Sequence, residues 1–490
     1  MAESIIEMAQ QLRHENQHQA APVVDEPEWT VFEVPSVLRA RCPVSFQNKG
    51  LELGLHHRTL KKSEIEVFKI DIARILHSKL AAKNSSWDEF AIAVVGDVNI
   101  ARRAYSGGSA KFSDEEVQHL LALDALFLVV LFKYVNGRGL FLKEFEALAG
   151  RVGEILTTID RSDFFLIENQ VPMYLLQSVI RELCELDEET QAKKVDPDFQ
   201  IESMVEDELE MVLNVAVLQL YPFTFPGSNT GIVSTNPCLS SFFSPQFSLN
   251  SRDSLHRHLL RTYPVEPLEK SLINCQHLLD CLYTVICGHT LPFKVKQDVE
   301  SNLALENIPS ATRLEAVGIS ILGTVPTLRD IRLSGAGYFR TAKLRLPKVT
   351  LYDYSESVFH NLALHEHLTF KGRCGDFVCY LQCMTSLCIN VSDLQVLCEQ
   401  GVINNYTGKE TILEVWDQTR IGVSTPVLLP SYWVNCNHRV HQHRNARLKR
   451  WRQECWTLFF AKPWTLVSVL AAVVLLFLTA TQTYLTAFPR

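Results

Sequence analysis

The stretch Ser113-Asp-Glu-Glu-Val-Gln-His-Leu-Leu-Ala-Leu-Asp-Ala-Leu-Phe-Leu-Val-Val-Leu-Phe132 decides what kind of body this chain builds. Its first four residues form a capping box: the Ser113 hydroxyl accepts from the third helical amide, and Glu116 reaches back to the Ser113 amide. A long helix to about Val135 follows. Its apolar run, Leu120 to Phe132, is too short for a bilayer core of ~30 Å, which needs about 20 helical residues, and it carries Asp124. It reads as a buried core helix. A buried Asp124 needs a partner, and Arg102 or Arg103 is the candidate.

Helical signals continue on both sides of this run. Residues 63–83 put Ile65, Phe68, Ile72, Ile75 and Leu76 on one face, and residues 87–105 look helical too. Pro172 suits the first turn of a helix that Leu176, Val179, Ile180 and Leu183 continue. Further helices are expected over about 268–287, 356–370 and 376–389. Ser310 can cap a short helix that Gly318 ends, and Ser392-Asp-Leu-Gln395 reads as a second capping box before Gly401. Strand signals are few: 319–322, 328–333 and 343–352. In the last of these the apolar parity switches at Pro347, from Leu344 and Leu346 to Val349 and Leu351, which suggests a bulge or an edge strand. The fold class is therefore mainly α, a multi-helix body with a small β element.

With 490 residues, 47% hydrophobic and 21% charged, the chain has enough apolar surface to offset ordering entropy, so a disordered or collagen-like chain is excluded. The net charge of −8 hides an asymmetry: beyond residue 437 there are eight Lys/Arg and one acid. An acidic body on a basic end argues against nucleic acid as a partner.

The C-terminal end carries a second apolar run. From Pro463 to Phe488 there is no charged residue, and Trp464 and Tyr484 stand near the two ends, where amphipathic aromatics favour the headgroup level. The reading is one transmembrane helix over 463–488. Arg439, Arg444, Arg447, Lys449, Arg450, Arg452 and Lys462 precede it and only Arg490 follows, so the positive-inside rule places the preceding body in the cytoplasm. The basic residues serve as a topology signal, and would also meet anionic lipid. The layout is thus a polar tail over 1–28 and a body over 29–437 with a loop-rich insertion around 187–250. A basic juxtamembrane stalk over 438–462 and the span complete it.

The 13 cysteines include no C-x-x-C pair and no zinc-finger spacing, so they read as small buried hydrophobes of a reducing compartment. Sequons at Asn84, Asn390 and Asn405 would then go unused. No phosphate-binding glycine loop, dinucleotide fingerprint or nucleophile elbow is present. Adjacent His56 and His57 point to opposite sides of an extended chain. His365 and His367 diverge on a helix, because a metal pair needs i and i+4. His438, His441 and His443 either respond to mild acid or lie on a solvated face. Neither a metal nor a cofactor is expected.

One further segment, Phe165-Leu-Ile-Glu-Asn-Gln-Val-Pro-Met-Tyr-Leu-Leu176, places Glu168, Asn169 and Gln170 between apolar runs. They form either a ligand-facing cluster or side-chain bonds that stitch neighbouring helices. The segment resembles the E-N-Q-[IV]-P signature of a plant family, domain of unknown function 247. Val34-Pro35, Gly54-Leu-His-His57, Ala101-Arg-Arg-Ala-Tyr105, Leu123-Asp-Ala-Leu-Phe127, Ile308-Pro-Ser-Ala-Thr312, Leu346-Pro347 and Asn361-Leu-Ala-Leu364 resemble its other blocks in order. Pro463-Trp464 with Ser468 to Leu476 resembles its terminal anchor. Glu168, Asn169, Gln170 and Pro172 are the residues that match the family motif.

The resemblance implies a single-pass plant membrane protein without an established activity; some grass members act in self-incompatibility, which implies protein recognition. The expected function is accordingly a non-enzymatic, tail-anchored recognition or signalling component, with the bilayer and another protein as partners, at the plasma membrane rather than an internal one. The alternatives are a membrane-tethered enzyme using His56, His57 and Glu168, or a trafficking scaffold.

Overall fold

A computed structural model of the chain describes residues 30–58, 63–106, 111–136, 143–187, 201–220, 223–224, 272–287, 308–325, 327–335, 341–369, 375–405, 413, 430–445 and 463–487. The capping box forms as expected: the Ser113 amide donates to Glu116 Oε2 at 2.7 Å and the Glu116 amide to Ser113 Oγ at 3.3 Å. The helix Asp114–Asn136 that it starts is the axle of the body. Leu121, Ala125, Leu126, Phe127 and Val129 on it are fully buried. Around it pack the helices Glu64–Ala82, Trp87–Val95, Val98–Arg103, Ala149–Thr158, Met173–Leu186 and Ile201–Leu220.

Two expectations in this layer need correction. The helix expected over 87–105 is two helices. Gly96 adopts φ +64 between them, and the Asp97 side chain caps the second by accepting from the Asn99 amide. The insertion around 187–250 contains a 20-residue helix, Ile201–Leu220, whose Val205, Leu209, Val212 and Leu213 are buried at the i, i+4, i+7, i+8 spacing of an amphipathic helix. The 1–28 tail, and most of that insertion, lie outside the described residues.

The β element is organised on one strand. β1 (Phe223–Thr224), β2 (Ile319–Val325), β3 (Arg332–Ser334) and β5 (Ile403–Asn405) all pair with β4 (Ala342–Leu351). Over its first half β4 has β2 parallel and β3 antiparallel to it; over its second half, β1 antiparallel and β5 parallel. The change occurs at Pro347, where the β2 register slips between Gly323 and Val325. A proline has no amide to donate, so it fits where a ladder is interrupted. The parity switch is real: Leu344 and Leu346 are buried before it, Val349 and Leu351 after it. Gly323 crosses so close to the turn before β5 that a Cβ on it would stand 2.1 Å from the Gly401 carbonyl oxygen.

Ala311–Ala316 packs on β2 and Val391–Glu399 on β5, while Leu278–Cys287, Ser355–Thr369 and Asp376–Leu387 pack on one another. The helix expected from about 268 begins only at Leu278, after a short 3-10 turn at Leu272–Asn274. The 328–333 strand is half turn, Leu328–Asp330, and half strand, β3. The last capping box is replaced by Asn390, whose side chain accepts from the Asp393 amide at 2.9 Å and starts the helix at Val391. One buried cluster runs through both layers, from Val31 to Val440.

Among the described residues, only Asp114–Val135 is long and apolar enough to cross a membrane, and 72% of its apolar window is buried inside the body, as a core helix should be. Helix Pro463–Ala487 forms where the span is expected, but its described apolar stretch, Leu470–Tyr484, does not reach that length. The 438–462 stalk also starts differently. Helix Ser431–Asn445 packs against β3, and its Val440 and His443 are buried. Arg444 is half-buried at its end, whereas Arg447, Lys449, Arg450, Arg452 and Lys462 lie outside the described residues, as does the Trp464 side chain.

Candidate functional site

The Glu168-Asn169-Gln170 cluster is the polar centre of the molecule, and every one of its side chains is used internally. Leu166 to Asn169 form a turn, with the Asn169 amide donating to Leu166 O at 3.0 Å. Asn169 is fully buried. Its Oδ1 accepts from the Leu53 amide at 2.7 Å, and its Nδ2 donates to Leu51 O at 2.7 Å and Asp163 O at 2.8 Å. It therefore pairs with residues 51–53 as a strand neighbour would. Gln170 Nε2 donates to Phe164 O and Leu166 O at 2.9 and 2.7 Å, and its Oε1 accepts from the Leu279 amide at 3.1 Å. Tyr105 donates its hydroxyl to Gln170 O at 2.9 Å. Pro172 is the extended residue just before the helix Met173–Leu186, rather than within its first turn. The Met173 amide beside it donates to Gln276 O.

Glu168 is the charged member. It accepts from the Val34 amide at 2.6 Å and from Arg39, and its Oε2 lies 3.0 Å from His57 Nε2. Burial alone would raise its pKa. The bonds from His57, Arg39 and the Val34 amide outweigh burial and hold the carboxyl down at about 2. A depressed folded-state value adds stability that is fully present above the unfolded value of about 4.3 and is lost as pH falls toward 2. Glu168→Gln is thus expected to lose about 2–3 kcal/mol at neutral pH. In urea titrations the gap between variant and wild type should close between about pH 4 and pH 2; a gap that stays constant over that window contradicts the assignment.

Of the two adjacent histidines, His57 meets Glu168 and His56 does not. His57 is mostly buried against it, while His56 packs edge-on to Tyr105 and its Nε2 has no hydrogen-bond partner. Burial lowers the His56 pKa. A carboxylate that orients an imidazole is half of an acid–base arrangement. Here the same carboxylate also ties down Val34 and Arg39, so it clamps the N-terminal segment to the body.

Asp124 has other partners than the expected Arg102 and Arg103. Lys69 Nζ donates to its Oδ1 at 2.8 Å, Arg58 bonds its Oδ2, and the Gly54 amide donates to the same oxygen at 2.8 Å. Glu66 completes the group, 2.9 Å from Arg58 and 2.6 Å from Lys69. Burial opposes the Arg58 charge, but Asp124 and Glu66 overcome it and raise its pKa. Arg102 instead meets Asp114 and Phe112 O on the surface.

The His365-Glu-His367 segment is a second internal junction. His365 Nε2 lies 3.2 Å from Asp280 Oδ1, and its ring packs on His277, which contacts Thr30 O at 2.8 Å. Burial, helped by His365, lowers His277 to about 4. Glu366 accepts from Tyr283 Oη at 2.7 Å and from the Phe377 and Val378 amides at 2.9 and 2.7 Å, so it caps the helix Asp376–Leu387 from outside. Burial raises its pKa to about 7 against those bonds. Among the described residues, no group of three or more His, Cys, Asp or Glu side chains is placed to hold a metal ion.

The sequence reading missed Arg39, Arg58, Lys69, His277 and Asp280, and named Asn361 only within a block that resembles the family. Asn361 repeats the behaviour of Asn169: its Oδ1 accepts from the Ile167 amide at 2.8 Å while its Nδ2 donates to Ser45 O and Ser357 O. The two asparagines thereby hold one loop from both sides.

The putative UPF0481 protein At3g02645 of Arabidopsis thaliana is 22% identical, over 95% of this chain and 91% of its own length. A second Arabidopsis thaliana protein, UPF0481 protein At3g47200, is 22% identical over 92% of this chain and 85% of its own. No solved structure matches. The family model described as plant protein of unknown function matches residues 31–478, from the N-terminal segment that Glu168 clamps into the C-terminal helix. The chain belongs to that family, domain of unknown function 247.

Proposed function

We infer that this is a non-enzymatic, single-pass membrane protein whose cytoplasmic body binds another protein in recognition or signalling, at the plasma membrane. The observation that carries the anchor is the helix Pro463–Ala487. It has no charged residue, and Val467, Leu470, Val473, Leu475, Leu476 and Phe477 on it are all more than half exposed. Thr479, Thr481 and Thr483 return their hydroxyls to carbonyls four residues back, which removes their demand for water. Such a surface has no stable place in water. The non-enzymatic reading draws support from the polar cluster, whose Asn169 and Gln170 are engaged by the backbone.

The test is flotation. The full-length chain should float with plant membranes and resist carbonate extraction, and a chain ending at 462 should not. Asn84, exposed in a left-handed turn at the end of the helix Glu64–Ala82, should carry no glycan. Recovery of the full-length chain in the soluble fraction, or sugar on Asn84, overturns the placement.

A second reading, a tethered enzyme, draws on the His57–Glu168 contact and the unpartnered His56 Nε2. It requires that some plant metabolite be turned over by the wild type and not by His57→Ala of unchanged stability. Equal turnover profiles would remove it.

A further inference from the structure

Four cations share the outward side of the sheet. In β3 and β4, Leu333, Ala342, Leu344 and Leu346 are buried, so Arg332, Ser334, Lys343 and Arg345 point the other way. The antiparallel register sets Arg332 directly opposite Arg345, and Ser334 opposite Lys343. Like charges in opposed positions repel. The slip at Pro347 turns Lys348 outward as well, half-buried between the buried Pro347 and Val349. On the far side of β4, β2 contributes Ser320 and Leu322 to this side and no acid. Among the described residues none of the four cations forms an ion pair; Arg345 Nε reaches only Ser334 Oγ, at 3.3 Å. A rigid strand pair that opposes arginine to arginine without a carboxylate is built for an anion supplied from outside.

Its position says which anion. Helix Ser431–Asn445 packs against β3, buries Trp433, Cys436 and Val440, and exposes Arg439. Residues 446–462 join this helix to Pro463–Ala487 and span at most about 60 Å when fully extended. They carry Arg447, Lys449, Arg450, Arg452 and Lys462. The cationic strands thus stand beside the body's point of attachment, at the head of a basic tether.

We propose that Arg332, Lys343, Arg345 and Lys348 dock the body onto the anionic lipid headgroups of the membrane that the C-terminal helix enters, a step that rests on the anchor reading above. Guanidinium forks match phosphate oxygens in pairs, and the lysines add point charges to the same plane. Docking fixes one side of the body against the bilayer and turns the opposite side toward the cytoplasm.

Amine footprinting of the full-length chain tests this. The chain is reconstituted in phosphatidylcholine vesicles, with or without about 30 mol % phosphatidylserine, and exposed lysines are acetylated and read by mass spectrometry. Lys343 and Lys348 should be protected at least about fivefold by the anionic lipid, with Lys83 unchanged as the internal reference. Protection should vanish in about 0.5 M NaCl, where screening is short-ranged. R332Q/R345Q should cut the protection at Lys343 at least about twofold while the urea midpoint of unfolding stays that of the wild type. Equal acetylation in both vesicles overturns the proposal, as does protection by added single-stranded RNA but not by phosphatidylserine. If the chain fails to float with pure phosphatidylcholine, the anchor reading falls. The sheet is then judged by anionic vesicles alone: flotation with lysine protection upholds it, and no flotation overturns it.

Discussion

Asp124→Ala is expected to cost about 3–5 kcal/mol of stability, the range for breaking a buried ion group from one side. The carboxylate is fully buried and faces two cations, Arg58 and Lys69, together with the Gly54 amide. Its loss leaves Lys69, itself fully buried, with Glu66 and Glu52 O as its remaining partners. It also loosens the 51–58 segment, because the Gly54 amide loses its acceptor and Arg58 loses its carboxylate partner. Asp124→Asn keeps an acceptor for the Gly54 amide but not the charge, so it should lose less than Ala. Removing the second charge as well should recover part of the loss, since an apolar pair of similar volume often replaces a buried ion pair without penalty. Urea midpoints of D124A, D124N and D124L/K69M give the ranking directly. A double variant as unstable as D124A would mean that packing, not unpaired charge, sets the cost.

This group also shows what the sequence could and could not reveal. That Asp124 is buried follows from its apolar neighbours, and so does its need for a cation. Arg102 and Arg103 are the candidates that the sequence suggests, but a helix that ends in solvent lets them turn outward, and Arg102 meets Asp114 instead. The true partner had left a trace. Lys69 falls on the same stripe as Ile65, Phe68, Ile72 and Leu76, and a lysine on an apolar stripe is buried only when it is paired. Periodicity located the axle helix and the parity switch at Pro347, because burial writes both into neighbouring residues. It could not locate the partners of Glu168 or Asn361, which are joined across more than a hundred residues by the tertiary fold. Nor could it separate a ligand-facing cluster from a structural one, since both need the same polar residues.

Asn169→Ala separates those two roles, and is expected to cost about 3–4 kcal/mol. The substitution leaves the Leu53 amide, Leu51 O and Asp163 O without their partner in a site closed to solvent, and each buried unsatisfied group costs about 1–3 kcal/mol before relaxation. Asn169→Asp sharpens the test. A carboxylate would still accept from the Leu53 amide, but it would turn its other oxygen on Leu51 O and Asp163 O, where only a donor fits. The carboxyl would therefore favour its protonated form, with a folded-state pKa raised above the unfolded one. Stability would then be highest below about pH 4 and fall as pH rises through the raised value. Relative to wild type, N169D should be close to native-like at pH 4 and at least as unstable as N169A at pH 8. A ligand-facing asparagine predicts the opposite pattern, since an open site would hydrate the new carboxylate and leave stability unchanged. Denaturation profiles of the three proteins at the two pH values decide whether this motif holds the molecule together or waits for something to bind.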